Sequence, residues 1–140
     1  MKYNLIEFKT LKHAKLLLVD KHPEIAIVEA ISGYIPIEQF KEIFESTTEL
    51  IQQKKIKKLI FDKRKLTVFH QPSMEWYFVE WKEKMFDLGL KTHRKILPQD
   101  LVFRQSVKIG REKIKSNFPT GKYTQMSIEY AETIEEAIEN

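Results

Sequence analysis

The stretch Lys57-Lys58-Leu59-Ile60-Phe61-Asp62-Lys63-Arg64-Lys65-Leu66-Thr67-Val68-Phe69-His70-Gln71-Pro72-Ser73-Met74-Glu75-Trp76 decides how this chain is read. Its short apolar run, Leu59-Ile60-Phe61, stops at Asp62 and gives way to a basic, histidine-containing loop. A helix then opens near Pro72 and Ser73. A continuous apolar run predicts a central strand covered on both faces. In α/β sheets, ligands and partners are met beyond the carboxyl ends of strands, so the loop over 63–72 is where function is expected.

Working toward the N-terminus, Leu16–Val19 and Ile25–Ile31 are strand-like runs separated by the polar, proline-containing break Asp20–Glu24. That pattern predicts a hairpin, with Tyr3–Phe8 as a short leading strand. From Ile37 to Gln53, Ile37, Phe40, Phe44, Thr47 and Ile51 recur at helical spacing, and Ile43 and Leu50 widen the stripe. Pro36 suits the first turn, and Lys54 and Lys55 complement the dipole at the other end.

Toward the C-terminus, a helix over 73–88 carries Met74, Tyr77, Phe78, Trp81, Met85 and Leu88 on one face and stops at Gly89. His93–Leu97 predicts a strand, 100–116 a helix weakened by Gly110, and Thr124–Tyr130 a strand. Thr133–Ile138 closes the chain as a short helix, with Thr133 and Glu136 at capping-box spacing. A β-hairpin followed by α, β, α, β, α, β, α predicts one layered α/β domain over 1–140.

Composition agrees. The 140 residues are 42% hydrophobic and 31% charged, a globular balance with enough chain for one core. The absence of cysteine excludes disulfides, thiolate metal sites and cysteine nucleophiles, and fits a reducing cytoplasm. No apolar run approaches the ~20 residues that span a bilayer, and the N-terminus lacks a signal-peptide pattern. A soluble cytoplasmic protein is expected. The formal charge of +4 permits an acidic partner, with cations grouped at 54–58, 63–65 and 93–95 and acids concentrated after Glu129.

Catalytic machinery is not indicated. The four glycines stand far apart and form no phosphate-binding loop, and no serine has the flanking glycines of a nucleophile elbow. His13, His22, His70 and His93 are scattered singly, so no metal site and no cofactor are expected. Asp62 has no second carboxylate at a useful spacing, and beside three cations it predicts a surface ion pair or a turn. Candidate binding residues are Lys63, Arg64, His70, Ser73 and Trp76. The plain reading of Ser73 is a helix N-cap. Trp76 falls off the apolar stripe beside the basic loop, as an interface anchor or a lid over an apolar pocket would.

The N-terminal hairpin, the helix from Ile37, the strand Lys58-Leu59-Ile60-Phe61-Asp62 and the closing segment Tyr130-Ala131-Glu132-Thr133-Ile134-Glu135-Glu136-Ala137-Ile138 together resemble the STAS-like family. That family is related to bacterial anti-sigma-factor antagonists and is often described as SpoIIAA-like. The resemblance covers 15–138. It implies a mixed sheet with helices packed largely on one side and a non-catalytic, regulatory or protein-binding role. It also implies a phosphorylation switch, for which Ser73 is the nearest position. His70-Gln71-Pro72-Ser73-Met74 stands here in place of the family's aspartate-serine-serine-glycine pattern. A phosphate on Ser73 would meet a helix N-terminus and the cations Lys63 and Arg64.

The expected function is therefore a non-enzymatic binding module working through the loop 63–72 and the start of the following helix, with a protein as partner. The alternative is a carrier of a small apolar ligand or lipid, with its pocket between the helix 73–88 and the sheet. A basic nucleic-acid-binding domain is the lesser alternative, since no helix-turn-helix, RNA-recognition or zinc-finger pattern accompanies the lysines. The sequence is silent on oligomeric state.

Overall fold

A computed structural model describes residues 1–140. Six strands form one mixed sheet, β1 (Leu5–Thr10), β2 (Ala14–Val19), β3 (His22–Ala30), β4 (Lys58–Asp62), β5 (Thr92–Ile96) and β6 (Ser127–Ala131), and their spatial order equals their chain order. β1, β2 and β3 pair antiparallel, and β3 to β6 run parallel. The hairpin turn is tighter than the sequence break suggests. It closes at Asp20-Lys21, with Lys21 at φ 68°, and Pro23 already lies within β3.

Helices connect the parallel strands: α1 (Ile37–Lys54) links β3 to β4, and α4 (Leu101–Asn117) lies between β5 and β6. Between β4 and β5 one continuous helix runs over 71–87. Its parts are α2 (Gln71–Trp76), a π-helical turn (Tyr77–Trp81) and α3 (Lys82–Asp87). A last helix, α5 (Ile134–Glu139), follows β6. Each crossover steps one strand further in the same direction, so right-handed connections stack their helices on one face. Only α5 packs on the other.

The pleat divides the core accordingly. Leu16, Ala26, Val28, Leu59 and Phe61 point toward α1, the 71–87 helix and α4, where they meet Phe44, Tyr77, Phe78, Trp81 and Val107. Ile25, Ile27, Ile60 and Ile96 point the opposite way, against Ile134, Ala137 and Ile138 of α5. No helix is long and apolar enough to cross a membrane.

Several boundaries differ from expectation. The second helix starts at Gln71 rather than Ser73, so the loop before it is 63–70. It ends at Asp87, leaving Leu88 43% exposed rather than on the buried stripe. Within it the Lys82 N–H donates to the Tyr77 carbonyl, the five-residue step of a π turn. The helix expected over 100–116 forms despite Gly110, with Asp100 Oδ1 accepting from the Val102 N–H at 2.9 Å.

Candidate binding site

Alternation along β4 does not stop at its last residue. Asp62 continues the face of Ile60, and Lys63 continues the face of Leu59 and Phe61, toward the helices. The Lys63 N–H still donates to the Ile96 carbonyl at 2.8 Å, which holds the backbone extended as it leaves the sheet. The carboxylate beside it is engaged elsewhere. Asp62 is buried and accepts from Arg64 Nε at 2.9 Å, Arg64 Nη2 at 2.8 Å and the Arg64 backbone N–H at 3.1 Å. Asp62 is therefore a buried, fork-held acid and not a surface ion pair, and Arg64 is committed to it.

Lys63 turns into a recess walled by Phe61, Leu66, Phe69, Met74, Tyr77 and Phe103, with His70 and Ser73 as its other polar groups. Only 7% of Lys63 is exposed, and no acidic side chain pairs with it. Its Nζ lies 4.9 Å from the Phe61 ring centroid. Burial, reinforced by the Arg111 guanidinium, lowers its pKa to about 8. The recess as a whole gives water-sized molecules about 40 Å³ of room, enough for roughly three waters. Gly110 of α4 lets that helix pass close behind, since a Cβ there would stand 2.9 Å from Phe69 Cζ.

The first turn of α2 is capped by His70, not by Ser73. His70 Nδ1 accepts from the Ser73 N–H at 3.3 Å and lies 2.9 Å from Ser73 Oγ. Both groups donate to one ring nitrogen, which places the His70 proton on Nε2. Ser73 thus occupies the third helical position and is 5% exposed, with its hydroxyl turned to the cap. Trp76 stands apart from the recess. It packs edge-on against Phe40 at 6.1 Å, lies 5.6 Å from Lys41 Nζ, and lines a shallow groove with Glu45, Glu80 and Lys84. Of the five candidate residues, the recess brings together Lys63, His70 and Ser73 and leaves out Arg64 and Trp76.

A buried polar layer lies behind this site, and the sequence did not disclose it. The basic group at 93–95 is inside the protein: His93, Arg94 and Lys95 are all at most 4% exposed. His93 and Lys95 face the 71–87 helix, where Tyr77 Oη is 2.9 Å from His93 Nε2 and the Leu59 carbonyl is 3.1 Å from His93 Nδ1. Lys82 comes down from α3, and its Nζ lies 3.5 Å from the Phe78 ring centroid, with Lys95 Nζ at 4.2 Å from the same ring. Neither amine has a hydrogen-bond partner. Burial holds the pKa values of Lys82 and Lys95 well below the usual lysine value, helped by repulsion from Lys63 and Arg111 on both and from Lys82 on Lys95. Burial likewise holds His93 well below the usual histidine value. Arg94 points to the α5 side, donating to the carbonyls of Ser127 and Asn140 at 2.9 and 2.8 Å.

No three His, Asp or Glu side chains converge in a way that could hold a metal ion. No family model matches the chain, and neither a curated protein nor a solved structure matches it.

Proposed function

We propose that this chain is a non-enzymatic, cytoplasmic binding module, STAS-like in kind, that takes a small and largely apolar ligand in the recess at the carboxyl end of β4. One observation carries this reading: the apolar recess lies where the loop 63–70, the first turn of α2 and α4 meet beyond the central strand. The carboxyl ends of parallel strands are the edge at which α/β sheets receive ligands. Here the loop and helices form the recess in place of a reversal of strand order, which this sheet lacks. The small volume of the recess favours a compact occupant over a long acyl chain. The test is extraction and mass spectrometry of small molecules from the protein purified from its native cells, beside a Met74→Trp variant that fills the recess. A compound enriched with wild type and missing from the folded variant is expected. Equal, background-level extracts from both would overturn the proposal.

The regulatory, protein-binding reading has its own support. Leu101 and Val102, at the start of α4 beside Phe103 of the recess, are 80% and 74% exposed. Two adjacent bare aliphatic residues, next in sequence to a residue of the recess wall, suit an apolar contact with a partner. A nuclease-treated pull-down comparing wild type with Leu101→Ser/Val102→Ser tests it: a stoichiometric protein lost in the variant supports it, and no captured protein overturns it.

A further inference from the structure

We infer that the occupant of the recess carries a carboxylate, which binds Lys63 Nζ while a short apolar body lies against Phe61, Phe69 and Met74. The inference rests on the small-ligand reading above and specifies the chemistry of its ligand. Lys63 is a lysine more than nine-tenths buried, turned into a cavity, and without an acidic partner. The nearest acid in sequence, Asp62, faces the other side of the sheet and is held by Arg64.

Every charged neighbour that acts on Lys63 is of the same sign. Arg111 of α4 lowers its pKa, and Lys63 in turn acts on Lys82 of α3 and on His93 and Lys95 of β5. His70 and Tyr77 are the remaining titratable groups at the recess, and neither supplies a negative charge at neutral pH. A chain folded in this way has a positive field at one apolar cavity and nothing of its own to neutralise it. An anion there gains a charge-assisted hydrogen bond from Lys63 and meets the field of the Arg111 guanidinium. A neutral ligand gains neither.

The test uses the full chain with ¹³C-methyl-labelled methionine, titrated with butyrate and with butyramide at constant ionic strength. The two probes share shape and differ in head-group charge. The Met74 methyl reports the recess, and Met126, which does not line it, serves as the internal control. Butyrate is expected to shift Met74 with at least about tenfold higher affinity than butyramide, the effect of a hydrogen bond to a charged group. Lys63→Met is expected to bring the two probes to the same affinity. Should that variant not fold, wild-type calorimetry at pH 8.5 in two buffers of different ionisation enthalpy serves instead. Proton uptake on butyrate binding is then expected, and its absence counts against the inference. Equal affinities for both probes in wild type would overturn the carboxylate assignment and leave the recess as a ligand site. No Met74 shift with either probe would overturn the small-ligand reading itself.

Discussion

Tyr77 Oη donates to His93 Nε2 across 2.9 Å, and His93 Nδ1 donates to the Leu59 carbonyl at 3.1 Å. The Leu59 carbonyl can only accept, so Nδ1 carries a proton, and burial keeps the ring neutral, which leaves Nε2 to accept from the Tyr77 hydroxyl. The two bonds also tie the π turn of the long helix to β4 and β5 at one point. Tyr77 lines the recess as well, so ligand site and polar layer share a side chain.

Tyr77→Phe removes the donor and leaves the buried His93 Nε2 with no partner. The expected loss is about 1–3 kcal/mol of unfolding free energy, read from urea or guanidinium denaturation at pH 7.5. An unchanged midpoint would show that this bond contributes nothing.

Stability is expected to rise with pH between 8 and 10. Lys63, Lys82 and Lys95 have folded pKa values below the unfolded lysine value, about 8 for Lys63. In that window the unfolded chain binds more protons than the folded one, and each group adds a slope of up to ~1.4 kcal/mol per pH unit. Their stabilising contribution is complete above the unfolded value and is lost as pH falls toward the folded values. Above pH 10, ionisation of Tyr77 in the unfolded chain opposes the trend, since burial raises its folded pKa. Flat or falling stability from pH 8 to 10, by denaturation at fixed salt, would contradict this.

Lys82→Met keeps an unbranched side chain against Phe78 and deletes an amine with no partner. The variant is expected to be about 1–3 kcal/mol more stable at pH 7, the penalty of an unsatisfied buried polar group. Its pH slope between 8 and 10 should be shallower than that of wild type. A clear destabilisation would mean that the amine is satisfied in solution.

Arg64→Ala strips the buried Asp62 of its bidentate partner. The Arg64 side chain is 48% exposed, so solvent moderates the effect, and a loss of about 1–2 kcal/mol is expected. Arg64 is absent from the recess wall, so butyrate binding to the folded variant should stay within about twofold of wild type, well inside 1 kcal/mol. A selective loss of butyrate affinity without loss of stability would place Arg64 at the ligand site after all.

The strand and helix order was legible in the sequence because each element carries its own period. Leu59-Ile60-Phe61 reads as a central strand, and Phe40, Phe44 and Ile51 read as a helix face whatever packs on them. The polar layer was not legible. His93, Arg94 and Lys95 look like a solvated basic cluster until the helix layer on one side and α5 on the other are known to cover both faces of β5. Lys82 falls four residues after Phe78, on the buried stripe, and its charge conceals that position. The recess was half legible. Lys63, His70 and Ser73 come from one loop and one turn, whereas Phe103 arrives from another helix that no local pattern connects to them. Ser73 reads as the cap of α2 because a serine oxygen suits an N-cap, whereas the His70 ring three positions earlier holds it.

The identity of spatial and chain order in the sheet has a consequence for assembly. Once the N-terminal hairpin closes, β4, β5 and β6 each attach to the free edge left by the strand before them. No strand has to be inserted between two that are already paired, and no edge waits for a segment far downstream. A chain emerging from the ribosome can therefore extend its sheet in the order in which it is made, with each connecting helix covering the newest pair before the next strand arrives.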